Sequence, residues 1–173
     1  MRVDTLINSF GWTPTKIGSV IIAFLLSALV TYTLASVFQS LFVLQALEAA
    51  GAQFSLSVWF YVLVHDLYGL AFGGKYVSYG QIILIGLFIA LVVAALCLRW
   101  IPLPRVLIYS MAGATAMATI LYLVELNFYG LTLFAGVRGK LGVSAQLVAG
   151  ALGGLTFSTV ISLKYLSQRG RAQ

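Results

Sequence analysis

One histidine, one cysteine and four acids are all that this 173-residue chain offers for acid–base, thiol or metal chemistry beyond its tyrosines and basic residues. His65 and Asp66 are neighbours. A His–Asp pair is the commonest general-base arrangement, but adjacent residues on a helix point about 100° apart and form no oriented dyad by themselves. Glu48 and Glu125 are the other acids in the body of the chain, with Asp4 near its start. One His and one Cys exclude bis-His haem ligation, a CxxC redox centre and a four-ligand Cys/His zinc site. Neither HExxH nor GxSxG occurs. Gly69 and Gly74-Lys75 approach the spacing of a phosphate-binding loop, but Tyr76 stands where that loop needs Ser or Thr. Glu48, His65, Asp66 and Glu125 are the one acid–histidine set a metal could use, and nothing in their spacing requires a metal. The reading is of no catalytic residue, no cofactor and no metal.

A second pattern draws attention to the same residues. Tyr61 to Leu70 parallels Tyr122 to Leu131, with Tyr, Tyr, Gly and Leu in common and Asp66 opposite Asn127. Each stretch leads to a Gly-Lys pair, Gly74-Lys75 and Gly139-Lys140, and then to a glutamine six residues after the lysine, Gln81 and Gln146. This suggests a parallel hairpin repeat, 54–98 and 115–164, within a single transmembrane domain 1–173. The candidate recognition set is therefore His65, Asp66, Glu125 and Asn127.

The elements that must position these residues are apolar. Residues 17–47, 76–98, 106–124 and 141–163 carry no charge, in a chain that is 61% hydrophobic and 8% charged. About 20 apolar residues span the ~30 Å hydrocarbon core as a helix, so each run is long enough. The first is about twice the ~7–15 residues of a signal-peptide core and is expected to be retained. Four spans are expected at roughly 16–40, 78–98, 105–127 and 141–164. The net charge of +6 sits in ones and twos at the ends of these runs, a pattern for headgroups and not for nucleic acid. Cys97, the only cysteine, lies inside a run and reads as an inert buried thiol.

Segment 54–74 is apolar enough to compete as a fifth span. Four spans place Arg2, Lys16, Arg99, Arg105, Lys164, Arg169 and Arg171 inside, against Lys75, Arg138 and Lys140 outside. Five spans divide the same residues evenly, and would put Asp66 within the bilayer. The positive-inside rule favours four, with both termini cytoplasmic in a bacterial-type plasma membrane. Val58 to Leu70 then becomes a short interfacial helix between spans one and two, with Trp59, Tyr61, Tyr68 and Tyr76 at the headgroups. The fold class is an all-α integral membrane four-helix bundle.

Small residues mark where helices meet. Ala112-Gly113-Ala114 and Ala116 lie in the third span, and Ala145, Ala149, Gly150, Gly153 and Gly154 in the fourth. Such strips let backbones approach closely, either between these two spans or at a homo-oligomer or partner interface. With no ionisable group near the midplane, the leading expectation is a non-catalytic accessory, assembly or structural subunit of a membrane complex. The alternatives are a small oligomeric channel or transporter, and an enzyme acting on a lipid or quinone at the outer interface. Expected partners are the lipid bilayer and further copies or other membrane subunits. Topology is checked by labelling in intact cells. A cysteine at Gln173 should be shielded from an impermeant reagent and one at Gln53 should react; strong labelling at 173 excludes this orientation.

Overall fold

The computed structural model describes residues 14–72, 78–127 and 140–170. Those residues form five helices: α1 (Pro14–Ala49), α2 (Leu56–Phe72), α3 (Tyr79–Cys97), α4 (Arg105–Asn127) and α5 (Lys140–Gly170). Four of them, all but α2, are long and apolar enough to cross a membrane.

The first helix is the departure from expectation. It continues past residue 40 to Ala49, giving 36 residues and a length of about 54 Å. Nothing in residues 41–49 interrupts it, and it stops only at Gly51. That glycine has φ +98°, a conformation side chains rarely adopt. Its N–H donates to Glu48 O (2.9 Å), and Ala52 N–H donates to Leu47 O (3.1 Å). This is a glycine-terminated Schellman cap, which satisfies carbonyls the helix end would otherwise leave open. The chain then reverses into α2.

At the start of α3, the Ser78 N–H donates to the Gln81 side chain (3.2 Å), so Gln81 caps its own helix. The α3–α4 turn closes with Trp100 and Ile101 N–H on Cys97 O. Pro102 and Pro104, which lack an N–H, separate the two helices. Leu107 and Ile108 N–H then bond Pro104 O and start α4.

Helix α5 is central to the packing, meeting α4 most extensively and α1 next; α4 also packs on α3, and α3 closes more thinly on α1. Gly113 of α4 faces Gly150 of α5. A Cβ on Gly113 would lie 2.8 Å from the Gly150 carbonyl carbon, and one on Gly150 would lie 2.6 Å from the Met117 side chain. Four residues on, a Cβ on Gly154 would lie 2.6 Å from the Tyr109 carbonyl carbon. Gly153 turns to α1, where a Cβ would strike Thr31 Oγ1 and lie 3.1 Å from Ser27 O. Ala149 is fully buried, and Ala145 is half-buried. The chain's own helices thus cover the glycines of the strip.

Polar residues are buried within an apolar core, and large apolar residues also cover the outside. Buried positions include Ser27, Thr31, Ser36, Ser40, Gln146 and Ser158, while Ile21, Leu25, Leu29, Ile85, Phe88 and Ile89 face outward. Some of these buried groups bond between helices. Ser27 Oγ donates to Gly153 O (2.7 Å). Gln146 accepts from Tyr79 OH (3.1 Å) and donates to Ala35 O (3.0 Å), joining α5 to α3 and α1. Tyr109 and Phe157 meet edge-on at 4.9 Å, closing the opposite end of the α4–α5 seam.

Gly154→Leu should cost about 3 kcal/mol or more in thermal or denaturant unfolding, because the obstruction is backbone that cannot move aside. Gly69→Ala is the control: its Cβ meets nothing within 4 Å, so it should be neutral or gain up to about 1 kcal/mol. Equal effects of the two changes would contradict this packing.

Candidate functional site

Helix α2 runs back along the final turns of α1. Trp59 Nε1 donates to Glu48 Oε1 (3.0 Å), Ser40 Oγ donates to Asp66 Oδ2 (2.8 Å), and Tyr32 OH donates to Leu67 O. Partners on α1 fall in number as those on α2 rise, so the two helices are antiparallel. The 17 residues of α2 and the 19 of α3 together match the 36 of α1. None of the described residues of α2 is buried. Three hydrogen bonds to α1 and the packing of Leu70 on the bundle hold this helix in place.

The side chains it presents are mixed. His65 is 66% exposed and Asp66 37% exposed. His65 Nδ1 lies 3.8 Å from Asp66 Oδ1, beyond hydrogen-bonding distance, as expected for neighbours on one helix. The imidazole stacks on Tyr61 at 5.8 Å instead. Leu56, Phe60, Tyr61, Val64, Tyr68 and Phe72 are all more than half exposed. Asp66 is oriented by Ser40 and keeps its other oxygen open, His65 can donate or accept, and aromatic faces surround both.

Of the four candidate recognition residues, the structure joins His65 with Asp66. Glu125 is exposed near the end of α4, whereas α2 packs on α1 and α3. No hydrogen bond or ion pair links Glu125 to Asp66 among the described residues, and no three of the described His, Cys, Asp and Glu residues gather as a metal site. The Asn127 side chain, Tyr76 and residues 128–131 of the parallel stretch lie outside the described residues. The glutamines that follow the two stretches sit in different surroundings: Gln81 is an exposed helix cap, while Gln146 is 1% exposed and ties three helices.

Sequence reasoning missed Ser40 and Tyr32, which fix α2. The available signal was the series Tyr32, Ser36 and Ser40, residues recurring four apart along α1 and so sharing a face. No protein-family model matches the chain, and no curated protein or solved structure matches it either.

Asp66→Ala removes the acceptor that Ser40 holds. It should weaken α2 docking by about 1 kcal/mol, read as faster amide exchange across residues 60–70 with the α4–α5 seam unchanged. Glu125→Gln should leave that exchange as it was. Undisturbed exchange in Asp66→Ala would show that Ser40 does not hold the helix.

Proposed function

We propose that the chain is a multi-pass membrane protein with four spanning helices and cytoplasmic termini, acting as a non-catalytic accessory or assembly subunit. The membrane placement is supported by the apolar exterior of the bundle. Its outside is Ile, Leu, Val and Phe; its inside holds serines, a threonine, glycines and Gln146. Exposed apolar surface of that extent is unfavourable in water, whereas lipid accepts it and leaves helix association to close packing and hydrogen bonds.

The subunit reading is carried by one observation: α2 buries none of its described residues yet is pinned to α1 by side chains along its length. A helix held in place without a core of its own supports contact with something outside the chain. The outward extension of α1 with α2 is the proposed partner surface. His65 and Asp66 supply its polar part, and Phe60 and Tyr68 its aromatic anchors. Glu125 and Asn127, at the same end of the bundle, would extend it. Within the bundle, the glycine seam and the Gln146 bridge fill the middle, which supports a structural role over a pore through one chain.

The test uses the full chain in its native membrane. A photoreactive residue at Phe60 should capture one discrete protein species, and the same residue at Ile89 should capture lipid. Phe60→Ala with Tyr68→Ala should weaken co-purification of that species about thirtyfold or more, as expected for truncated aromatic anchors. Capture of lipid alone at both positions would overturn the subunit reading.

A further inference from the structure

We propose that the cytoplasmic end of the α3–α4 groove binds one anionic phospholipid, with its phosphate between Arg99 and Arg105 and an acyl chain along the groove. Two cavities carry this. The first, about 430 Å³, lies between the α3–α4 turn and α5 and is lined by Arg99, Arg105, Tyr109 and Ser158. The second, about 1200 Å³, is an apolar groove between α3 and α4, lined along its length by residues such as Ile89, Val93, Met111 and Thr115. Ile101 and Leu103 line both, so the two adjoin at the α3–α4 turn. The inference rests on the membrane placement proposed above.

Charge complementarity names the occupant. Neither cavity is lined by an acid, and neither arginine has an ion-pair partner among the described residues. Guanidinium groups pair with phosphate oxygens through two parallel hydrogen bonds. Arg105 is also the first residue of α4, where the peptide dipoles present their positive end to an anion. The independent observation is Ser158. It is 2% exposed, and its Oγ has no hydrogen-bond partner. A buried hydroxyl without a partner is costly, and a phosphate oxygen in this cavity would supply one.

The apolar half fits a lipid tail. From Ile82 to Cys97 the groove follows about 22 Å of helix, more than half of the ~30 Å hydrocarbon core. A chain anchored at the cytoplasmic headgroups can therefore lie along it. Trp100, 87% exposed in the turn, suits the headgroup level at this end. Cys97 lines the groove and is half-exposed, so it reports on occupancy.

The experiment begins with the full chain in phosphatidylcholine nanodiscs, where incorporation tests the membrane placement alone. The same protein in neutral detergent is then titrated with dioleoylphosphatidylglycerol, dioleoylphosphatidylcholine or inorganic phosphate. Binding is followed by native mass spectrometry, and Cys97 alkylation by a small thiol reagent. One phosphatidylglycerol should be retained per chain, slowing Cys97 alkylation; phosphatidylcholine should bind at least tenfold more weakly, and phosphate should not protect. Arg99→Gln with Arg105→Gln should weaken phosphatidylglycerol binding on the order of tenfold or more. Ser158→Ala, a change too small to unfold the bundle, should weaken it about fivefold. Equal binding of both lipids, equal binding across the variants, protection by phosphate alone, or a lipid-free dimer that shields Cys97 would each overturn the inference. Incorporation into nanodiscs without lipid preference overturns it while leaving the membrane placement standing.

Discussion

Gly113 and Gly150 bring two helix backbones so close that a single methyl on either would meet the other's carbonyl. Much of the bundle follows from that contact. It sets the spacing of α4 and α5, which in turn lets Gly154 lie on Tyr109 and turns Gly153 toward Ser27 and Thr31 of α1. With α1 drawn in, Gln146 reaches Ala35 O and Tyr79 OH, and α3 is fixed by the same amide. For helices placed in lipid as proposed, the tails are as apolar as the side chains, so no hydrophobic drive would join them. Dispersion between close backbones and a few desolvated hydrogen bonds must do so, and both depend on the absence of Cβ atoms along this seam.

A second constraint is length. Helix α1 is about 54 Å long, well beyond a ~30 Å hydrocarbon core. Helix α2, with 17 residues, lies beside its C-terminal half. The Ser40–Asp66, Tyr32–Leu67 and Trp59–Glu48 bonds spread over much of the C-terminal half of α1, and they convert a projecting helix into a helical pair. The exposed aromatic and His–Asp surface is a consequence of that pairing. At the opposite end, Pro102 and Pro104 hold the α3–α4 turn open between Arg99 and Arg105, so the two ends of one bundle present different chemistry.

The four long apolar helices were legible because charge is so sparse. Arg105 and Lys140 begin helices within a residue of expectation, and the prolines at 102 and 104 announce the turn between them. The end of α1 was harder to read: Leu41 to Ala49 looks like any apolar continuation, and the stop signal is Gly51, whose positive φ depends on the cap hydrogen bonds. The small-residue strip was visible as composition, but which glycine faces which helix is a matter of phase. Gly150 and Gly154 share a face toward α4, whereas Gly153 is rotated about 100° from Gly154 toward α1. The tie between Asp66 and Ser40 joins residues 26 apart, and no local pattern reveals such a pairing. Ser158 was visible only as one hydroxyl among many; its lack of a partner emerges from tertiary packing.

The contact of Gly113 with Gly150 is tested most directly by a double-mutant cycle on unfolding free energy in a membrane mimic, using Gly113→Ala, Gly150→Ala and the pair. Touching backbones require each single change to destabilise. The pair should then cost less than the sum of the singles by about 0.5–3 kcal/mol, because the first methyl already opens the gap that the second needs. Two changes that each raise stability, as alanine does in an unconstrained helix, and that simply add, would contradict the contact and the bundle geometry that depends on it.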